Sequence, residues 1–263
     1  MQKFYTSKFY KNPIEVNNIK GEIIVTITTE LGEKIIYSWY DVIEKQSLSE
    51  YINKSLLGSF INKIPKKVLV LGLGGGSFVK FLEEHIEGVE IYGVDIDESM
   101  IKISKEIMKV KTNNLFLSDA EEFVNKLISE NNINFDSILI DCYGGNSKIP
   151  EHLLLQPFFY KCSQVLSEKG IISINMANFE QEEYTYKKMH KNIISQLNNK
   201  NYNLLLSNRN DYSNVVGIYN LDKKYTAKKY YQNFIQEVKK DNIKNNLKIL
   251  ENIFLDEKDL FEN

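Results

Sequence analysis

The loop Gly72-Leu-Gly-Gly-Gly-Ser77 places four glycines in five positions directly after the apolar run 68–71. Glycines let a backbone approach a ligand closely, and the amides at the start of a following helix favour an anionic group. Gly72, Gly74, Gly75 and Gly76 are therefore candidate ligand contacts, for a dinucleotide or for an adenosylmethionine alike. About twenty residues on, a second apolar run, 91–94, ends in Asp95-Ile96-Asp97. An acid at that place accepts both hydroxyls of a ribose. Asp95, with Ile96 beside it, takes that part. Asp97 has a plainer explanation as the cap of a helix beginning near Glu98. After a third run, 115–117, Ser118-Asp119-Ala120 offers an acid to an adenine amino group, or a cap to the helix opened by Glu121-Glu-Phe. The fourth acid, Asp141, closes the run 135–140 and precedes Cys142-Tyr-Gly-Gly145. It falls where a reacting substrate would lie and can orient or deprotonate a nucleophile. Tyr143 is a candidate wall for such a substrate, or simple packing.

These acids share a site only if one sheet brings the strand ends to one edge. Short, continuously apolar runs at 68–71, 91–94, 115–117, 137–140 and 171–174 alternate with amphipathic stretches such as 99–110 and 121–129. That alternation predicts a parallel sheet covered on both faces, with ligands outside its carboxyl ends. Runs at 203–206 and 215–219, joined by a polar loop, predict an antiparallel hairpin that finishes the sheet. Before this body, 22–29 and 33–40 read as a β-hairpin turning at Gly32, and 47–60 as a helix. The expected fold class is α/β. It is a Rossmann-like, seven-stranded, mostly parallel sheet with an antiparallel last strand. The expected divisions are a β-rich N-terminal domain over 1–62, the main domain over 63–221 and a lysine-rich helical extension over 222–263. Trp39 is expected to pack the N-terminal hairpin against the main domain.

The bulk composition narrows the function. Of 263 residues, 43% are hydrophobic, enough for a sizeable core, and the net charge is −2, from 33 basic and 35 acidic residues. No basic half suggests nucleic-acid binding. Two cysteines, Cys142 and Cys162, give no disulfide framework, which suits a reducing compartment. The start of the chain has no signal-peptide run and nothing has the length of a spanning helix. A soluble cytoplasmic protein without membrane attachment is expected. The three histidines, His85, His152 and His190, have no ligand spacing with the cysteines or acids, so no metal is expected.

The order of these features resembles the class I adenosylmethionine-dependent methyltransferase superfamily, and within it the spermidine synthase-like branch. The resemblance covers roughly residues 20–220. It rests on the small β-rich segment before the glycine loop, the acid Asp95, the Asp119-Ala120 pair, and Asp141 followed by a loop reaching Pro150 and Pro157. It implies a transferase whose cofactor is S-adenosylmethionine or its decarboxylated form. Gly72, Gly74, Gly75, Gly76, Asp95, Ile96, Asp119 and Ala120 would hold that donor, and Asp141 would face the acceptor. The acceptor would be a small molecule or a protein, and a homodimer through the N-terminal β-structure is in keeping with such relatives.

Departures from the branch shape the expectation. Aminopropyltransferases carry an acid inside the glycine loop, where this chain has Gly75, and a second acid three residues after the catalytic one, where it has Gly144. Their tyrosine-led motif survives only as Tyr51-Ile-Asn-Lys. Two ammonium groups brought into a partly dry cleft without those carboxylates would not be compensated. The expectation is therefore methyl transfer from S-adenosylmethionine, whose tail carboxylate suits bare amides over Gly74–Gly76. A divergent aminopropyltransferase is the first rival, with Glu44, Glu180 or Glu183 supplying the missing charge. Glu180 is also a candidate contact for an amine substrate, as is Tyr51. A non-catalytic nucleoside-binding or assembly protein is the second rival. A nicotinamide enzyme is the third, disfavoured because Ser77 stands where a third glycine or alanine belongs.

Overall fold

In the computed structural model, the described residues are 1–29, 32–60, 63–131, 134–197, 202–208 and 211–221. The proposed extension over 222–263 lies outside them. Five N-terminal strands make one antiparallel sheet: β1 (Gln2–Tyr5), β2 (Ile14–Ile19), β3 (Glu22–Thr28), β4 (Lys34–Asp41) and β5 (Gln46–Ser47), in that order. The expected hairpin is β3 with β4. Helix α1 (Glu50–Phe60) leads from this sheet to the second.

The second sheet contains β6 (Lys67–Leu71), β7 (Glu90–Asp95), β8 (Leu115–Leu117), β9 (Phe135–Ile140), β10 (Leu166–Ala177), β11 (Tyr202–Asn208) and β12 (Asp211–Leu221). Its order is β11-β12-β10-β9-β6-β7-β8. The strands from β6 to β10 are parallel, and β12 runs antiparallel to β10. Helices α2 (Ser77–His85), α3 (Glu98–Glu106), α4 (Ala120–Glu130), α5 (Gln156–Gln164) and α6 (Glu183–Gln196) alternate with the strands. The chain therefore has the α/β fold that the alternation predicts. The direction of winding reverses between β6 and β9, which are neighbours in the sheet, and the crevice for a ligand opens at such a point.

Side-chain alternation sets how the two sheets meet. Ile23, Val25 and Ile27 of β3 are buried on one face, and belong to the same apolar core as Phe78 of α2 and Ile103 of α3. From β4 the inward residues are Ser38 and Tyr40, the latter donating its hydroxyl to Glu84 of α2 at 2.7 Å. Trp39 lies between them on the opposite face, with its Nε1 donating to Glu22 at 2.9 Å. The docking role expected of Trp39 thus belongs to Tyr40. Helix starts follow local chemistry. Asp97 accepts from the Ser99 amide and caps α3, and Asp119 accepts from the Glu121 and Glu122 amides and caps α4. Helix α2 has no side-chain cap: it begins at Gly76 with φ +101°.

No helix among the described residues is long and apolar enough to cross a membrane.

Candidate active site

A cavity of about 430 Å³ lies at the carboxyl edge of the second sheet, under the N-terminal sheet. Gly72, Gly74, Asp95, Ile96, Asp119, Ala120, Asp141, Tyr143 and Tyr51 all line it. One fold feature brings the carboxyl ends of β6 and β9 together. Gly72 holds φ +88°, and a Cβ there would stand 2.2 Å from the carbonyl oxygen of Asp141. Only glycine lets β6 leave the sheet so close to the end of β9.

Asp95 is the anion that the glycine loop binds. Its Oδ2 accepts from the Leu73 amide and its Oδ1 from the Asp97 amide, both at 2.8 Å. Burial outweighs these bonds and pushes its pKa up to about 6. The Gly76 amide turns inward to the Leu73 carbonyl at 2.8 Å. Of the amides expected to be bare over Gly74–Gly76, that of Gly76 is thus committed within the loop, and that of Gly74 is turned to Asp95. Gly75 and Gly76 do not line the cavity. A Cβ at Gly75 would meet Val25 Cγ2 at 2.9 Å, and one at Gly76 would meet Ser104 Oγ at 2.8 Å. Their glycine identity serves packing between the sheet, α3 and the loop, which corrects their assignment as ligand contacts.

Asp119 both caps α4 and reaches the cavity; its Oδ2 stands 3.0 Å from His152 Nε2. Asp97 also lines the cavity, with one oxygen on its own helix and the other on Ser7 Oγ at 2.5 Å.

Asp141 is half-buried, and its Oδ1 accepts from Asn175 Nδ2 at 2.9 Å. The Tyr51 hydroxyl donates to the Tyr37 carbonyl at 3.0 Å and lies near enough to the Asp141 carboxylate to lower its pKa. Burial raises the Asp141 pKa to about 6, against the lowering effect of Asn175 and Tyr51. Tyr143 is fixed by its hydroxyl, which donates to the Asn175 carbonyl at 2.8 Å and accepts from the Ala177 amide at 2.6 Å. Cys142 beside it is held protonated, since burial and then Asp95, Asp141 and Asp119 raise its pKa. Glu180 is exposed and does not line the cavity. Glu44 and Glu183 do not line it either.

Several cavity residues escaped the sequence reading. Asn175 lines the cavity although it is only 3% exposed, and its Oδ1 is buried with no hydrogen-bond partner. Its signal was a polar residue inside the apolar run of β10. Tyr10, Tyr37 and Glu33 come from the N-terminal strands and turns, and no spacing tied them to the acids. The lining contains five carboxylates, those of Glu33, Asp95, Asp97, Asp119 and Asp141, and no Lys, Arg or His side chain among the described residues. The described residues also contain no group of three His, Cys, Asp or Glu arranged to hold a metal.

The geometry defines a crevice at the switch point of a seven-stranded, mostly parallel α/β sheet. The chain belongs to the spermine/spermidine synthase domain family, whose description, "Spermine/spermidine synthase domain", matches residues 48–232. It is 28% identical over 146 residues to a polyamine aminopropyltransferase of Chromobacterium violaceum, covering 55% of this chain and 56% of that protein. It is also 28% identical over 121 residues to an eEF1A lysine and N-terminal methyltransferase homolog of Drosophila melanogaster, covering 43% of this chain and 18% of that one. The chain spans little more than half the length of the aminopropyltransferases it matches. Among solved structures, a probable spermidine synthase from Corynebacterium glutamicum matches with a TM-score of 0.69 at 13% identity, covering 90% of this chain and 86% of that one. Human methyltransferase-like protein 13 in complex with SAH matches with a TM-score of 0.56 at 19% identity, covering 74% and 90%. Both likenesses concern the fold.

Proposed function

We propose that the chain is a transferase acting from an S-adenosylmethionine-type sulfonium, with Asp95 on the ribose and Asp141 facing the acceptor nucleophile. The observation that carries this reading is the occupied glycine loop. The Leu73 and Gly76 amides are already bonded, to Asp95 and to the Leu73 carbonyl, and the cavity wall has five carboxylates and, among the described residues, no cation. Phosphates are repelled there, and a cationic sulfonium is favoured. A dinucleotide fits this chemistry poorly. The relatives agree in class: one solved neighbour is titled as bound to SAH and another, a spermidine synthase, as bound to the transition-state analogue AdoDATO.

The donor supplies an electrophilic carbon whose bond to sulfur breaks as the nucleophile's bond forms, with the electron pair leaving on sulfur. The protein aligns and deprotonates. Asp95 and the backbone at Gly72 and Gly74 fix the nucleoside, and Ile96, Asp119 and Ala120 border the base. Asp141 accepts a hydrogen bond from the acceptor and takes its proton, a task suited to a carboxyl with a pKa near 6. Asn175 and Tyr51 hold that carboxylate in place. The rest of the acceleration comes from holding nucleophile and carbon in line.

Methyl transfer is our first reading. An acid at position 75 would clash with Val25, and position 144 is glycine, so the two carboxylates of the aminopropyltransferase pattern are missing and the acids of the wall would have to hold an ammonium-tailed donor and a diamine in their stead. Each charge-assisted bond is worth about 1.5–3 kcal/mol. Aminopropyl transfer is the second reading, supported by the aminopropyltransferases among the relatives. Calorimetric titration with S-adenosylmethionine and with its decarboxylated form separates them. Methyl transfer predicts that the former binds more tightly, by about tenfold or more. Tighter binding of the decarboxylated donor overturns it, and no binding of either overturns the donor class.

A further inference from the structure

We infer that residues 6–13, the segment between β1 and β2, form a movable roof over the nucleoside end of the cavity, with Phe9 and Tyr10 as its ligand-facing side chains. This rests on the donor reading above.

The segment is fastened at both sides of the crevice. On the donor side, Ser7 Oγ donates to Asp97 Oδ2 at 2.5 Å, and Ser99 Oγ donates to the Thr6 carbonyl at 2.6 Å. Both bonds lie at the start of α3, immediately beyond Asp95. On the acceptor side, the Phe9 carbonyl rests on Gly145, where a Cβ would stand 2.2 Å from it. The segment therefore crosses from the ribose acid to the loop that follows Asp141. Phe9 and Tyr10 line the cavity from above. The Tyr10 ring meets Tyr37 edge-on at 5.8 Å between centroids, and Phe9 remains 42% exposed.

The remaining fastening is also by side chains: Asn12 Nδ2 donates to the Thr28 carbonyl at 3.4 Å, and Tyr10 packs against the core. The ladder between β1 and β2 ends at Tyr5 and Ile14, so no strand pairing holds the span between them. A segment attached by a few side-chain hydrogen bonds opens at far lower cost than the sheet beneath it. A half-exposed phenylalanine facing a cavity gains burial once a flat nucleoside lies below it. The roof closes on the donor and opens to exchange it. Its contact with Gly145 couples that closure to the loop after Asp141.

The test uses 5′-methylthioadenosine, which carries the nucleoside common to both donor readings. In stopped-flow measurements on the full chain, Ser7→Ala should raise the dissociation rate about tenfold by removing the bond to Asp97. It should shift the dissociation constant less, because association also quickens. Tyr10→Ala should weaken binding about tenfold. Hydrogen exchange on the wild-type protein needs no variant to fold: amides of residues 6–12 should become protected when the nucleoside is added. Unchanged dissociation rates in both variants, or unchanged exchange over 6–12, overturn the roof alone. A wild-type protein that does not bind the nucleoside overturns the donor reading, and the roof with it.

Discussion

Replacing Asp141 by asparagine should slow transfer about 10²- to 10⁴-fold, the usual worth of a positioned general base, while methylthioadenosine still binds. Asparagine keeps the volume and still accepts from Asn175 Nδ2, the 2.9 Å bond of the wild-type pair. It cannot take a proton. The same substitution should stabilise the fold at neutral pH. Burial raises the Asp141 pKa from 3.8 to about 6, so the folded protein binds the proton more tightly than the unfolded chain does. That contribution is complete below pH 3.8 and is lost as pH rises through about 6. At pH 7 the wild type therefore carries an uncompensated charge cost that asparagine removes, up to about 2–3 kcal/mol. Melting curves at pH 4 and pH 7 check the sign: the variant should gain only at the higher pH. Wild-type turnover should fall as pH drops through about 6. A variant that keeps full activity would remove Asp141 from the role of general base.

Gly72→Ala should damage both the fold and the site. At φ +88° an alanine incurs left-handed backbone strain on the order of 1–3 kcal/mol. Its Cβ also meets the Asp141 carbonyl oxygen at 2.2 Å and the carbonyl carbon at 2.6 Å. Neither can retreat freely. The Gly72 amide donates to the Val94 carbonyl and the Asp141 amide to the Leu71 carbonyl, both at 2.8 Å. Strands β7, β6 and β9 are fixed together at this point, so relief means parting β6 from β9. We expect a loss of at least about 3 kcal/mol, or about 6–12 °C in Tm, with methylthioadenosine binding abolished. Gly88→Ala is the control. It shares the positive φ, +72°, but a Cβ there meets nothing within 4 Å, so it should cost about 1 kcal/mol. Equal losses in the two variants would show that the close approach to Asp141 is unimportant.

The contrast between these glycines explains what could be read from sequence and what could not. The apolar runs that became β6, β7, β9 and β10 are largely buried, so each announced itself as a continuous hydrophobic stretch, and the short edge strand β8 did so although Leu117 is exposed. Their carboxyl-end acids, Asp95, Asp119 and Asp141, follow directly and converge on one cavity. The four glycines of the loop look alike in sequence, yet two face the cavity and two are packed under Val25 and Ser104. Val25 is fifty positions from Gly75, and nothing local encodes that contact. Strands β1, β2 and β5 were missed for a related reason. They are short, and in β2 the buried Ile14 and Val16 alternate with Glu15 and Asn17 over too few residues to make a pattern. Their loop carries Phe9 and Tyr10 to the cavity. Asn175 was passed over because β10 reads as a core strand. Its amide is what a buried carboxylate at Asp141 requires, and only the neighbouring strand supplies it.

The central claim is that the glycine bend and Asp95 hold one adenosyl group between them. A crystal structure of the protein soaked with 5′-methylthioadenosine tests it most directly. The account predicts the ribose hydroxyls on the Asp95 carboxylate and the base beside Ile96 and Ala120. A nucleoside seated elsewhere, or a cavity still empty at saturating concentration, would contradict it.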